Sequence, residues 1–375
     1  MKASQRVPGL DSLRAAAILA VIACHLIAFL PAHFPAMPPA LTGLLEFGAT
    51  GVDLFFVLSG FLIGGIILRE LETGSALDLP KFYWRRWLRT LPAYLATVAA
   101  IFILLRLKNI GEPTGLTWHY LIFAQTYFPP PVVERMGFSW SLCVEEHFYV
   151  ALPLLVIALR FAWARLSVKN LLRIVAVTAF VFSNVARLWI WKNHPGFSWD
   201  NDVYTFTHLR LDGLAVGLFV ATLPRPVNVR VSVVLAVLSV AALFGLSFMF
   251  GSAFSAAHPL AGLLGFAPVA LVYGGLVHVS AGGNHWSALR LPGARLTSDI
   301  SYSLYLTHMV IIQRFMGVKP GAYSLLLLAG VVVGCYAGAL ALRYLVEIPF
   351  LKVRDNFAPF QRWRGKLPEP SVTTQ

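Results

Sequence analysis

The chain has 375 residues, of which 58% are hydrophobic and only 13% charged, and its mean hydropathy is +0.71. Soluble domains carry about 25% charged residues, so the composition excludes an ordinary soluble enzyme and points to an all-α, polytopic membrane helical bundle. The formal charge of +13 could suggest nucleic acid, but Lys and Arg collect in the cytoplasmic loops of membrane proteins, and no nucleic-acid partner is expected.

Residues 10–30, LDSLRAAAILAVIACHLIAFL, are long and apolar enough to cross a bilayer. The run is too long for the apolar region of a signal peptide and reads as a retained first span. It carries Asp11, Arg14 and His25, and ionisable groups in a span usually face a partner, a wet cavity or a substrate path. Arg14 and His25 fall on one helix face, about 16 Å apart along the axis, with Asp11 close to the same line.

Further spans are expected near 48–69, 90–106, 144–163, 171–191, 206–222, 231–250, 259–280, 299–316 and 323–345. Residues 117–128 are apolar and aromatic but short for a crossing. Charge arbitrates. With ten spans and both termini cytoplasmic, twenty Lys and Arg fall inside and five (Arg106, Lys108, Arg135, Lys192 and Lys319) fall outside. An eleventh span at 117–128 would put Arg160, Arg165, Lys169 and Arg173 outside and spoil that asymmetry. The expectation is one membrane domain over 1–350 and a short basic cytoplasmic tail over 351–375. Cys24, Cys143 and Cys335 show neither disulfide nor metal spacing and read as packing residues.

Depth gathers the remaining polar residues. His25, Asp53, Glu145, Arg210 and Asp212 share an outer band although 190 residues of sequence scatter them, which suggests one site. Each also has a plainer reading: His25 as a packing histidine, Asp53 as a helix cap, and Glu145 or Asp212 as an ion-pair partner of Arg210. On the inner side, FYWRRWLRTLPAY sets Arg86 and Arg89 three apart on one face, able to grip a polyanion or to sit among anionic headgroups with Trp84 and Trp87 as anchors. Ser59 reads as a small packing residue, since no nucleophile-elbow context surrounds it. His258, His278 and His285 have no ligand spacing, so no metal site is expected.

The ordered set Arg14-x10-His25, GVDLFFVLSGFLI, RRWLR, WSLCVEEHFY, ISYSLYLTH and YLVEIPF resembles the acyltransferase-3 family of integral membrane acyltransferases over residues 9–350. The resemblance implies transfer of an acyl group, commonly acetyl, from acyl-coenzyme A to a hydroxyl of a carbohydrate or other cell-surface or secreted acceptor. A bacterial inner-membrane location goes with it. It makes Arg14, Arg86 and Arg89 the donor-phosphate residues and His25 the base. Glu145 or Asp53 would orient the histidine ring, and direct transfer and an acyl-histidine intermediate stay open. Asp11, Arg210, Asp212, Tyr302, Tyr305, His308 and Glu347 are secondary candidates. Some relatives carry an extra esterase-like domain that this chain is too short to hold. The rival reading is a proton-coupled exporter of small organic molecules, which would also place His, Asp, Glu and Arg at membrane depth but needs no coenzyme A site.

Overall fold

A computed structural model of the chain describes residues 6–27, 30–74, 76–107, 117–127, 134–194, 203–224, eight positions between 230 and 241, 259–282, 291–315, 318–319, 321 and 323–356. Among these the regular structure is helical, with no strand. The long elements are α1 (Pro8–Leu26), α2 (Gly51–Glu72), α3 (Leu79–Leu107), α4 (Trp140–Ala162) and α5 (Val168–Asn193). They continue through α6 (Asp212–Ala221), α7 (Pro259–Ala281), α8 (Ala294–Phe315), α9 (Ser324–Leu342) and α10 (Ile348–Asn356).

Seven stretches are helical, long and apolar enough to cross a membrane, and they contain α1 to α5, α7, and α9 joined to α10. Helix α8 falls at the expected ninth span but is more polar, and most of the expected seventh, 231–250, lies outside the described residues. Of the expected ambiguous segment 117–128, the described residues 117–127 do not form a spanning helix. Thr117–Leu121 is little more than one turn, and Phe123 takes a left-handed conformation (φ 57°) just beyond it. Tyr94 and Gln125 tie the segment to α3, with the Tyr94 hydroxyl donating to the Tyr120 carbonyl at 2.9 Å.

The outer faces suit lipid. On α5 the exposed residues Val177, Val181, Val185 and Trp189 recur every fourth position, which is one helical face. A solvent-facing helix would place charge there. The core of α2 instead sits among α1, α6 and α7, and 72% of the apolar window in the stretch containing α2 is buried.

Glycines set the closest contact in the fold. Gly60 and Gly64 on α2 and Gly213 and Gly217 on α6 each form a small-xxx-small pair, so the two backbones can touch. A methyl group at Gly60 would lie 2.1 Å from the Leu214 carbonyl oxygen, and one at Gly217 would lie 2.1 Å from that of Val57. No side chain fits in either place.

Helix α6 is shorter than expected for the sixth span. The chain enters it through irregular backbone and one 3-10 turn, Thr207–Leu209. Non-helical backbone is tolerated at membrane depth only where protein satisfies its polar groups. Helix α5 does so: Ser183 donates to the His208 carbonyl at 2.7 Å and Arg187 to the Leu209 carbonyl at 2.6 Å. Helix α10 runs through the first residues of the expected tail, to Asn356. The rest of that tail lies outside the described residues.

Candidate active site

A cavity of about 600 Å³ opens among α1, α2, α3, α4, α8 and α10. Its lining holds seven cations, Arg14, Arg69, Lys81, Arg85, Arg86, Arg89 and Arg354, against two carboxylates, Glu70 and Glu145. Among the described residues no carboxylate lies within ion-pair distance of Arg69, Lys81, Arg85 or Arg89. With more cations than carboxylates in one cavity the like charges repel, so the arrangement favours an anionic guest.

Arg86 is fixed by an aromatic ring and a carboxylate. Its Cζ sits 3.7 Å from the centroid of the Tyr149 ring, and its Nη2 lies 3.8 Å from Glu145 Oε2. The Tyr149 hydroxyl donates to Glu145 at 2.7 Å and lies 2.9 Å from the Ser59 hydroxyl, which itself donates to Glu145 at 2.8 Å. Glu145 and Tyr149 are four apart on α4 and so share a face. The Nε of Arg86 is buried and has no hydrogen-bond partner among the described residues. An orphaned buried donor at a cavity wall invites a ligand acceptor.

The apolar wall of the cavity includes Val52, Phe55, Phe56, Leu58 and Leu62 of α2, and Tyr302 and Tyr305 of α8 also line it. The Tyr305 hydroxyl bonds the Ser141 hydroxyl and donates to the Phe138 carbonyl at 2.8 Å. Beyond Tyr305 stand His308 and His25, joined at 3.0 Å between Nε2 and Nδ1. Neither histidine is among the lining residues.

A profile of the acyltransferase domain of the acyltransferase-3 family matches residues 7–344. The chain belongs to the acyltransferase-3 family. A Staphylococcus aureus (strain COL) protein provisionally named as an O-acetyltransferase is 30% identical over 244 residues, 61% of this chain and 37% of that relative. O-acetyltransferase OatA of Staphylococcus aureus (strain NCTC 8325 / PS 47) is 28% identical over 238 residues, 60% of this chain and 36% of OatA. The matched region thus spans little more than a third of these curated relatives, 37% of the first. No solved structure matches the chain.

In this acyltransferase-3 chain the three arginines expected at the donor site, Arg14, Arg86 and Arg89, do meet in one cavity, together with Glu145 and Tyr305. The expected outer band does not form one site. It separates into four sets of partners. Asp53 pairs with Arg210 at 2.8 Å, and Asp212 pairs with Arg187 at 2.6 Å rather than with Arg210. Glu145 faces Arg86 and the cavity. His25 takes His308 as its hydrogen-bond partner, so neither Glu145 nor Asp53 orients its ring in this structure.

The reason lies in helix rotation. The glycine contacts fix α6 against α2, which brings Arg210 over Asp53 and leaves Asp212 facing α5. Arg210 is then boxed by aromatic rings, with Cζ 3.6 Å from the Phe266 centroid, 4.8 Å from Tyr204 and 5.0 Å from Trp140. These two ion pairs are buried structural links. Asp11 serves a similar end. It accepts from Arg6 and from Ser298 (3.1 Å) and lies 3.9 Å from Arg14, while Arg6 reaches Asp299 at 2.8 Å. Those bonds to Asp11 and Asp299 raise the Arg6 pKa further, so the bridge between α1 and α8 holds at any working pH. Glu347 accepts from Arg343 at 2.6 Å and from Ser303 at 3.0 Å, tying α8 to the turn before α10.

Sequence reading missed Arg187, a single cation in an otherwise apolar run, and the role of Ser59 as a hydrogen-bonded member of the Glu145 cluster. It counted Arg69, Lys81, Arg85 and Arg354 only as inside charge. Their clustering at the C-terminal end of α2, at the start of α3 and in α10 is the available signal.

Proposed function

We propose that the protein transfers an acyl group, acetyl in the first instance, from cytoplasmic acyl-coenzyme A to a hydroxyl of a carbohydrate or other cell-surface acceptor. It would do so in the bacterial inner membrane, with ten spans and both termini cytoplasmic. Family membership and relatives named as O-acetyltransferases support the reaction class. The single observation that carries the donor assignment is the cavity, where seven cations face two carboxylates beside an apolar wall. Coenzyme A has the same two halves, a phosphate-rich nucleotide and a neutral pantetheine arm. Arg14, Arg86 and Arg89 would hold the phosphates, and the wall of Phe55, Leu58 and Leu62 would take the arm.

The chemistry needs a base near the thioester. A neutral imidazole suits, because its ordinary pKa lies close to working pH. His25 takes the proton of the acceptor hydroxyl as the oxygen attacks the thioester carbonyl. The new C–O bond forms, the C–S bond breaks, and the proton passes from His25 to the departing sulfur. His25 does not line the cavity whereas the bonded pair Tyr305 and Ser141 does, so the reaction requires the thioester to pass from the cavity to His25.

The test is release of free coenzyme A from acetyl-CoA by the purified protein in detergent, with water standing in for the acceptor. Wild type should release it and His25→Ala should not, while eluting as the same folded species. Full activity in His25→Ala would end the base assignment. Failure of any short acyl-CoA to bind would favour the exporter.

A further inference from the structure

Helices α1 and α8 bring two histidines together from positions 283 residues apart, His308 Nε2 and His25 Nδ1 at 3.0 Å, with ring centroids 5.0 Å apart. The second nitrogen of His308, Nδ1, lies 3.0 Å from the Leu304 carbonyl oxygen one turn earlier on the same helix. A carbonyl oxygen only accepts, so Nδ1 of His308 carries the hydrogen. A neutral imidazole has one N–H, which leaves Nε2 of His308 as an acceptor. Its partner must then donate. Nδ1 of His25 therefore carries hydrogen, and Nε2 of His25 keeps its lone pair.

The Leu304 carbonyl sets the direction of this chain at the His308 end, and the Val21 carbonyl, one turn earlier on α1, also acts on the His25 ring as an acceptor. His308 is wholly buried and cannot exchange its partners for water. Tyr305 and Phe138 flank its ring at 5.7 and 6.0 Å between centroids, and the Cys335 thiol approaches its backbone carbonyl at 4.0 Å. The ring thus lies between two aromatic neighbours.

The geometry points to His308 as the positioning residue that fixes the tautomer of His25, an inference that rests on the base role proposed above. A base must present an unprotonated nitrogen to the incoming hydroxyl, and this relay presents Nε2. When His25 takes the acceptor's proton at Nε2, its Nδ1–H stays bonded to the neutral His308 ring. That ring stands where a carboxylate orients the histidine of other acyl-transfer enzymes. Proton balance closes without His308 changing state: the proton goes from hydroxyl to His25 Nε2 and then to the leaving sulfur. A neutral orienting partner also has a physical advantage here, since it adds no buried charge to a membrane-embedded site.

The experiment compares His308→Leu, His308→Gln and His25→Ala in the full-length protein, reading acetyl-CoA hydrolysis, acetyl-CoA binding and the ring 15N resonances of His25. Leucine fills the space but accepts nothing, whereas the glutamine side-chain oxygen can accept near the position of Nε2. His308→Leu should lower kcat by roughly 100- to 10,000-fold, the range set by wrong-tautomer and lost-base effects elsewhere. Its acetyl-CoA affinity should stay within about twofold, and His308→Gln should recover at least about tenfold of the loss. The 15N spectrum should show Nε2 of His25 unprotonated in wild type and a mixed population in His308→Leu.

A kcat for His308→Leu within about threefold of wild type, beside an inactive His25→Ala, overturns the relay and leaves the base assignment standing. An active His25→Ala overturns the base assignment itself. Should His308→Leu fail to fold, the wild-type spectrum still decides: a protonated Nε2 on His25 contradicts the inference.

Discussion

The guanidinium of Arg86 sits over the ring of Tyr149, 3.7 Å from its centroid, and lies 3.8 Å from the Glu145 carboxylate that Tyr149 also bonds. One aromatic residue thus positions both a cation and the acid beside it. Stacking needs the planar guanidinium, which an ammonium cannot replace. Arg86→Lys should therefore weaken acetyl-CoA binding by about tenfold or more, the worth of a charge-assisted hydrogen bond, although charge is conserved. Titration calorimetry on the purified variant measures it, and an unchanged Kd would remove Arg86 from the donor site.

Glu145→Gln separates two roles. The amide keeps a partner for Ser59 and Tyr149 but loses the charge beside Arg86. If Glu145 works by holding Arg86, the donor Kd shifts by about threefold and kcat stays within the same factor. Kinetics with acetyl-CoA resolves this. A hundredfold fall in kcat at constant Kd would instead place Glu145 in the chemistry.

Gly217→Ala should destabilise the protein by about 1–3 kcal/mol, because its methyl group would meet the Val57 carbonyl oxygen at 2.1 Å and force α2 and α6 apart. Gly65→Ala, on α2 with nothing within 4 Å of the added carbon, is the control and should be neutral or slightly stabilising. Thermal unfolding in detergent compares them. Equal melting temperatures would show that the glycine contact is dispensable.

Breaking the Asp53–Arg210 pair on one side leaves the other charge buried, since both side chains are almost completely covered. Asp53→Leu and Arg210→Met alone should each cost about 3–5 kcal/mol, and the double replacement should recover much of that loss. Additive losses in the cycle would mean that the pair is not a coupled unit.

Much of this architecture can be read from the sequence, and the remainder has a common cause. Hydropathy locates α1 to α5, the spacing of Arg86 and Arg89 puts those two on one face, and the family resemblance adds Arg14, which lines the same cavity. Depth along a helix follows from counting residues, but rotation about the axis does not. Asp212 and Arg210 are two residues apart at equal depth, yet they serve different partners because Gly213 and Gly217 dictate which way α6 turns. His308 stands among the secondary candidates in the sequence, but its bond to His25 depends on how α8 lies along α1. The broken entry to α6 gives the weakest signal of all, because Ser183 and Arg187 satisfy its carbonyls from another helix.

The central claim is that donor binding and proton acceptance occupy separate places in one bundle, the arginine cavity and His25. Parallel measurement of acetyl-CoA binding and coenzyme A release in wild type, Arg86→Ala and His25→Ala tests it most directly. The account predicts that His25→Ala binds acetyl-CoA as wild type does but releases no coenzyme A, whereas Arg86→Ala loses binding. Turnover by His25→Ala, or equal donor binding by all three proteins, would contradict it.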